Sequence, residues 1–338
     1  MIETVQGRAN GSKPSGVLLR ILQLVVILPG LALLSMALWF QYGGAVRVVS
    51  LSLVAALTFA LARLWWERRG RQVLLWAIVA AAVALGWYST LRPSNDRVWA
   101  VDVEHGVTSD VQGDVVTLTN VRNFDWRTDT DFTPKWEARS YRLDQLASID
   151  LITSVWANPA IAHVLVSFGF EDGQHIVFSA EIRREKGEVY SALAGFFRRF
   201  ELVIIAADER DIVRLRTDVR RETVSVFPLS IRPEKRKELF LEYLALADTL
   251  SIRPEWYNTA TTNCTTVVWR IARALSPGIP LDRDVLLSGY FPRYLYGLGV
   301  LSPGQPLDQV LARAVRKPVG PSGTDGVAFS RRLRDGLE

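Results

Sequence analysis

Three apolar runs near the start restrict this chain more than any other feature. Ile21–Phe40, Val48–Trp66 and Val73–Leu91 each have about the length a helix needs to cross hydrocarbon, and their charges sit only at the flanks. In a soluble bundle each run would carry a polar stripe, and none of the three has one. Trp65, Trp66, Trp87 and Tyr88 close the second and third runs at the depth where amphipathic aromatic rings settle. The first run exceeds the apolar core of a signal peptide and is expected to stay on the chain. These runs predict a three-helix transmembrane anchor over residues 17–91, behind a polar cytoplasmic tail over residues 1–16. Arg8, Lys13 and Arg20 precede the first span, Arg47 stands alone in the first loop, and Arg63, Arg68, Arg69 and Arg71 surround the second. The excess of positive charge places the N-terminus and second loop in the cytoplasm. A multi-pass protein of the inner (cytoplasmic) membrane follows, with its C-terminal domain periplasmic.

From residue 92 the composition changes to that of a soluble α+β domain, expected over residues 92–317, with a flexible C-terminal tail over 318–338. Only Arg92–Arg97 separates the last span from a predicted first strand, Val98–Val103, so lipid is within the domain's reach. Further strands are predicted at Val115–Val121, Trp136–Leu143, Ala147–Val155, Glu201–Ala207 and Glu222–Leu229. Glu188–Arg199 reads as a helix with Val189, Leu193, Phe196 and Phe197 inward. Pro233–Leu250 reads as another, with Leu239, Tyr243, Leu246 and Leu250 inward. Asp208-Glu-Arg-Asp211 and Arg214-Leu-Arg216 form a dense charged patch, either a solvated surface or a site for an anionic group. Gly289–Val300 mixes aromatics with turn residues, suiting either a cap on the core or an acyl groove. The net charge of +5 is modest and the basic residues are interspersed with acids, which gives nucleic-acid binding little support.

The clearest hairpin joins Ala162–Phe170 to Gln174–Arg183 through Glu171-Asp172-Gly173, with Gly173 suited to a left-handed loop position. Pairing residue 170 with 174 also sets residue 163 opposite 181, so Glu181 can orient His163. A two-residue Asp172-Gly173 turn would separate them. In the first register His163, Ser167, Ser179 and Glu181 share a polar face, while Val164, Val166, Phe168, Ile176, Phe178, Ala180 and Ile182 face a core.

The chain has one cysteine, so it forms no internal disulfide, and the paired-cysteine spacing of a zinc site is absent; no metal or cofactor is expected. Cys264 stands where a polar run becomes an apolar helix, with Val267, Val268, Ile271, Ala272 and Leu275 at helical spacing and Thr262 or Asn263 as caps. A thiol in a first helical turn lies among unpaired N–H groups that favour thiolate and can hold an oxyanion. A small buried hydrophobe is the competing reading. Of three histidines, His105 follows an early strand and His175 adjoins the hairpin turn, which leaves His163 as the partner for Cys264. Cys264, His163 and Glu181 are the candidate catalytic residues. Asn263, Thr265, Ser179, Arg183, Arg216 and Tyr257 are candidates for substrate or oxyanion binding.

A nucleophile at a helix start with its histidine and orienting residue on neighbouring strands is the papain-like arrangement. Here the histidine precedes the cysteine, so the expected architecture resembles permuted, NlpC/P60-type papain-like domains with an antiparallel sheet. Asn95-Asp-Arg-Val-Trp99, Asn120-Val-Arg-Asn-Phe124, Ala162-His163 with Ser167-Phe-Gly-Phe170, and Ser179-Ala-Glu-Ile-Arg183 narrow this further. So do Asp208-Glu-Arg-Asp211, Leu215-Arg-Thr217, and Tyr257-Asn with Asn263-Cys-Thr-Thr266. Together, over roughly residues 94–300, they resemble the periplasmic domain of Lnb-type lipoprotein N-acyltransferases, whose proposed catalytic Cys and His match Cys264 and His163. An acyltransferase of this type carries its membrane helices after the domain, whereas three precede it here. The resemblance implies transfer of an acyl chain from a phospholipid donor, through a Cys264 thioester, to an amine acceptor such as a lipoprotein N-terminus. The alternatives are a cell-wall peptidase or amidase of NlpC/P60 type and a non-enzymatic, membrane-tethered binding or assembly module.

Overall fold

A computed structural model describes residues 14–320 and 325–337 of the chain, which divides into two compact units, Met1–Arg92 and Pro93–Glu338. The tail expected over residues 1–16 lies outside the described residues as far as residue 13. Helix α1 (Pro14–Gln41), α2 (Gly44–Trp66) and α3 (Gly70–Thr90) form the first unit. All three are long and apolar enough to cross a membrane, and their outward side chains are almost wholly apolar. Such a surface is unfavourable in water and is solvated in hydrocarbon, where a helix also pairs its own backbone.

The second unit is built on strands β1 (Thr108–Gln112), β2 (Val115–Arg122), β3 (Asp125–Trp126), β4 (Phe132–Thr133), β5 (Trp136–Arg142) and β6 (Leu146–Val155), followed by β7 (His163–Phe170), β8 (His175–Arg183), β9 (Glu201–Asp208), β10 (Thr223–Pro228) and β11 (Val315–Arg316). Nine of them make one sheet in the order β1-β2-β9-β8-β7-β6-β10-β11, with β5 also on β2. Its pairings are antiparallel except for one parallel pair between β2 and β9. Helices α4 (Glu209–Arg214), α5 (Pro233–Ile252), α6 (Cys264–Leu275), α7 (Arg283–Leu286), α8 (Phe291–Gly297), α9 (Leu307–Ala314) and α10 (Gly326–Leu333) complete it. The fold is α+β, with three apolar helices ahead of a mostly antiparallel sheet.

The β7–β8 hairpin takes the first register: Leu165 pairs with Ser179 and Gly169 with His175, while Gly173 holds φ +84° in a loop closed by Phe170 and Gln174. Both of its faces are covered, the polar one included. Phe168 and Phe178 pack against Phe240 and Tyr243 of α5 on one side. On the other, Leu165 and Val177 join a core with Ile212 and Val213 of α4 and Phe329 and Leu333 of α10. Ser167 and Ser179 are fully buried there, and Ser167 donates to Glu209 at 2.6 Å.

Several expectations are corrected. Val98–Val103 is not a strand: Trp99 makes a single bridge to Glu185 and Val101–Val103 is a 3-10 turn, so its alternation reflects Trp99 and Val103 turning inward on an irregular segment. Glu188–Arg199 forms only a 3-10 turn at Ala194–Phe196. Val189, Leu193 and Phe196 are exposed there and only Phe197 is buried. Gly195 lies so close to Thr259 that an added Cβ would sit 2.2 Å from its hydroxyl. On α5 Tyr243 and Leu250 are buried as expected, but Phe240, Leu244 and Ala247 complete the stripe and Leu239 and Leu246 are only half-buried.

The charged stretch is neither a solvated patch nor an open anion site. Glu209 and Asp211 are fully buried: Asp211 accepts from Arg122, the Phe124 N–H and Trp126, and Glu209 from Ser167 and Arg334. Residues 289–300 cap the core, with Phe291, Tyr294 and Leu295 buried. The chain end is not a free tail either, since Asp325 caps α10 and Phe329, Leu333 and Leu337 enter the core.

Candidate active site

The Asn263 side chain fixes the start of α6. Its Oδ1 accepts from the Thr265 and Thr266 N–H groups at 3.0 and 2.9 Å, while its own N–H donates to the Thr266 hydroxyl at 2.7 Å. This reciprocal cap satisfies first-turn donors that would otherwise be open. Asn263 and Thr265 therefore hold the helix together, and the Thr265 and Thr266 N–H groups are not free for an oxyanion. The Cys264 N–H is the donor of that turn that Asn263 does not take.

Cys264 is 8% exposed, and its Sγ lies 3.8 Å from the Ala162 carbonyl, where β7 begins. The next residue is His163, whose imidazole comes within reach of the Cys264 thiol. Its Nε2 is 2.7 Å from Ser179 Oγ and 3.0 Å from Glu181 Oε1, and the Ser179 hydroxyl donates to the same Glu181 oxygen at 2.8 Å. With Nε2 so engaged, Nδ1 is the nitrogen left to face the sulfur. Arg216 closes the line by donating to Glu181 at 3.2 Å and to the Ile212 carbonyl at 2.7 Å.

Burial works against a charged imidazole here. The Glu181 carboxylate and the Cys264 hydrogen bond outweigh it, against repulsion from Arg216, and the His163 pKa is pushed up to about 9. Burial likewise works to raise Glu181, but His163, Arg216 and Ser179 hold its carboxyl well below the usual carboxylate range. The anion is thus kept charged, and the ring is held as a cation in a fixed orientation beside a thiol. Such a constellation suits covalent attack on a carbonyl carbon.

Of the candidate residues, Cys264, His163, Ser179, Glu181 and Arg216 come together. Tyr257 is buried beside them, its phenol pushed up by burial and by the nearby Cys264. Arg183 does not join. Its guanidinium is spent on the Val103 and Glu104 carbonyls and Asn95, and lies 4.5 Å over the Trp99 ring. His105 meets Trp136 edge-on and His175 bonds the Gly173 carbonyl. Two tyrosines near the sulfur went unread: Tyr190 and Tyr243, both pushed up by burial and then by Cys264. Tyr243 had only the signature of a core residue, and Tyr190 was hidden within a stretch that looked helical. Among the described residues no cluster of three or more His, Cys, Asp or Glu side chains could hold a metal.

No match was found among curated proteins or solved structures. Residues 132–295 match the family model described as the Lnb N-terminal periplasmic domain. That segment spans Cys264, His163, Ser179, Glu181 and Arg216 with the strands and helices that carry them. The family so matched over residues 132–295 is the one that the sequence motifs resemble.

Proposed function

We propose that this domain is a cysteine-dependent acyltransferase working at a membrane surface. The carrying observation is the line Cys264–His163–Ser179/Glu181–Arg216, in which His163, Ser179 and Arg216 all bond one oxygen of Glu181 and His163 adjoins the sulfur. In the first half-reaction the Cys264 sulfur, with its own proton carried by His163, attacks the ester carbonyl of a phospholipid acyl chain. An S–C bond forms, the ester C–O bond breaks, and the proton held on His163 passes to the departing alkoxide. In the second, an amine attacks the thioester, a C–N bond forms, the C–S bond breaks and His163 takes the amine proton. The Cys264 N–H is the donor placed to hold the oxyanion of both tetrahedral intermediates.

A rim of exposed apolar side chains favours lipid over a soluble peptide. Val189 is 81% exposed and Leu193 and Phe196 lie on the same segment, which Thr259 anchors through the Ala192 carbonyl. Trp156 and Ile161 are exposed on the chain leading to His163, which Ser288 fixes through the Ala162 N–H. Exposed apolar clusters of this kind mark contact with lipid or protein. The order of the histidine strand before the cysteine helix supports a permuted papain-like, NlpC/P60-type arrangement. The arginine distribution around the three helices supports a multi-pass protein of the inner membrane with this domain on the periplasmic side. The acceptor we assign is the N-terminal amine of a lipoprotein.

The test is mass analysis of the full chain incubated with phospholipid vesicles and acid-quenched. An acyl mass on Cys264, discharged by an amine, is expected. A sulfur that stays free in active protein would overturn the reading. Release of peptide fragments from cell wall would make it a peptidase or amidase instead. A Cys264→Ser variant that keeps its cellular phenotype would make it a binding module.

A further inference from the structure

The membrane unit holds an apolar groove of about 390 Å³ between α1 and α3, floored by Leu61 of α2. On α1 its wall runs from Leu19 to Leu34, roughly 22 Å at the rise of a helix, against roughly 15 Å for the hydrocarbon of one leaflet. On α3 the wall is small, with Ala77, Ala80, Ala81 and Ala84. One polar residue lines it. Gln23 is 6% exposed and donates from Nε2 to the Gly70 carbonyl at 2.9 Å, while its buried Oε1 has no partner.

Two more unmatched polar atoms lie at the same end. Arg20, one turn before Gln23, stacks 4.0 Å over the Trp65 ring and donates from Nη2 to the Trp65 carbonyl at 3.0 Å. Its Nε and the Trp65 indole N–H are both buried without an acceptor. The surroundings are cationic on balance: Arg69 and Arg71 flank the Gly70 that Gln23 holds, and the one nearby carboxylate, Glu67, is shared between Arg63 and Arg69. Buried polar atoms without partners are costly, most of all in hydrocarbon. Here they amount to two donors and one acceptor beside positive charge.

We propose that this groove binds an anionic phospholipid whose head carries hydroxyl groups. One acyl chain lies along the α1–α3 wall, the phosphate accepts from Arg20 and Trp65, and a head-group hydroxyl donates to Gln23. A helix from a second copy or another protein fits the observations less well. It would fill the groove with apolar side chains and a backbone already paired with itself, leaving the three polar atoms unmatched. The site is independent of the chemistry at Cys264.

The test uses the full chain in mild detergent, incubated with phosphatidylglycerol or phosphatidylcholine and examined intact by native mass spectrometry. Retention of phosphatidylglycerol over phosphatidylcholine is expected. Gln23→Leu should lower that retention about tenfold, the scale of one hydrogen bond to a buried group. Ala80→Trp, which fills the groove, should abolish retention of both lipids. Equal retention of the two lipids, or phosphatidylglycerol binding untouched by Gln23→Leu, would overturn the proposal. So would a loss of dimer without loss of lipid in Ala80→Trp, which would make the groove a contact between copies.

Discussion

His163 Nε2 and Glu181 Oε1 stand 3.0 Å apart across the β7–β8 ladder, eighteen positions apart in sequence, because Glu171-Asp172-Gly173 closes the hairpin as a three-residue loop. Ser179 sits between them in the chain and bonds both side chains. The ring is held by two partners on one nitrogen, which leaves the other clear of both.

Removing the charge of Glu181 while keeping its shape should separate orientation from stability. Glu181→Gln is expected to slow thioester formation by roughly tenfold to a thousandfold, the range for losing a positioned acid–base contribution. The pH profile of Cys264 alkylation should move with it. A lowered thermal midpoint with an unchanged profile would assign Glu181 to stability alone, through Arg216. Cys264→Ser should be far more damaging to thioester formation.

Folding should be linked to pH through the same pair. The His163 pKa rises from 6.5 to about 9, so its contribution is complete below about 6.5 and is lost as the pH climbs through about 9. Glu181 has the opposite sign: its contribution is present above 4.5 and is lost as the pH falls through its lowered value. The gap in thermal midpoint between the wild type and His163→Asn should therefore narrow between about pH 6.5 and 9. A constant gap over that range would mean that the folded ring binds its proton no more tightly than the unfolded one.

Asn263→Ala removes the acceptor shared by two backbone N–H groups and should cost about 1–2 kcal/mol. Urea melts would register it as a lower midpoint with unchanged slope. Asn263→Asp keeps the acceptor and should recover most of the loss. If Asn263→Ala unfolds at the same midpoint as the wild type, the cap contributes nothing to stability.

Arg334 donates to Asp150 at 2.6 Å and to Glu209 at 2.7 Å, and both carboxylates are buried. Arg334→Ala leaves two anions uncompensated and is expected to cost about 3 kcal/mol, as breaking a buried ion pair does. Calorimetry at neutral pH would measure this. Adding Glu209→Gln should restore part of the loss by removing one of the stranded charges.

The membrane helices and the hairpin were readable because their signals are local: an unbroken apolar run in one case, period-two alternation around Gly173 in the other. The start of α6 was readable too, from Asn263 ahead of an apolar helix. Long-range partners were not. Ser167 and Ser179 were legible as part of a polar face, but not their cover, which comes from α4 and from α10, far along the chain. Arg183 and Arg216 are chemically alike, and only the tertiary fold turns one toward Trp99 and the other toward Glu181. Val189, Leu193 and Phe196 repeat at helical spacing, but they form an exposed rim, and periodicity alone does not tell a buried face from a binding one.

Phe329 and Leu333 share a core with Leu165 and Val177, so the cover of the hairpin is synthesised about 160 residues after its first strand. During that interval the nascent hairpin presents bare valines and leucines to whatever surrounds it, and Glu209 and Asp150 lack their arginine. Contacts closed over so long a stretch of chain form late. A ribosome that stalls before Arg334 would leave a product with its thiol in place and half of its core open. Such a product is material for a protease rather than a folded domain.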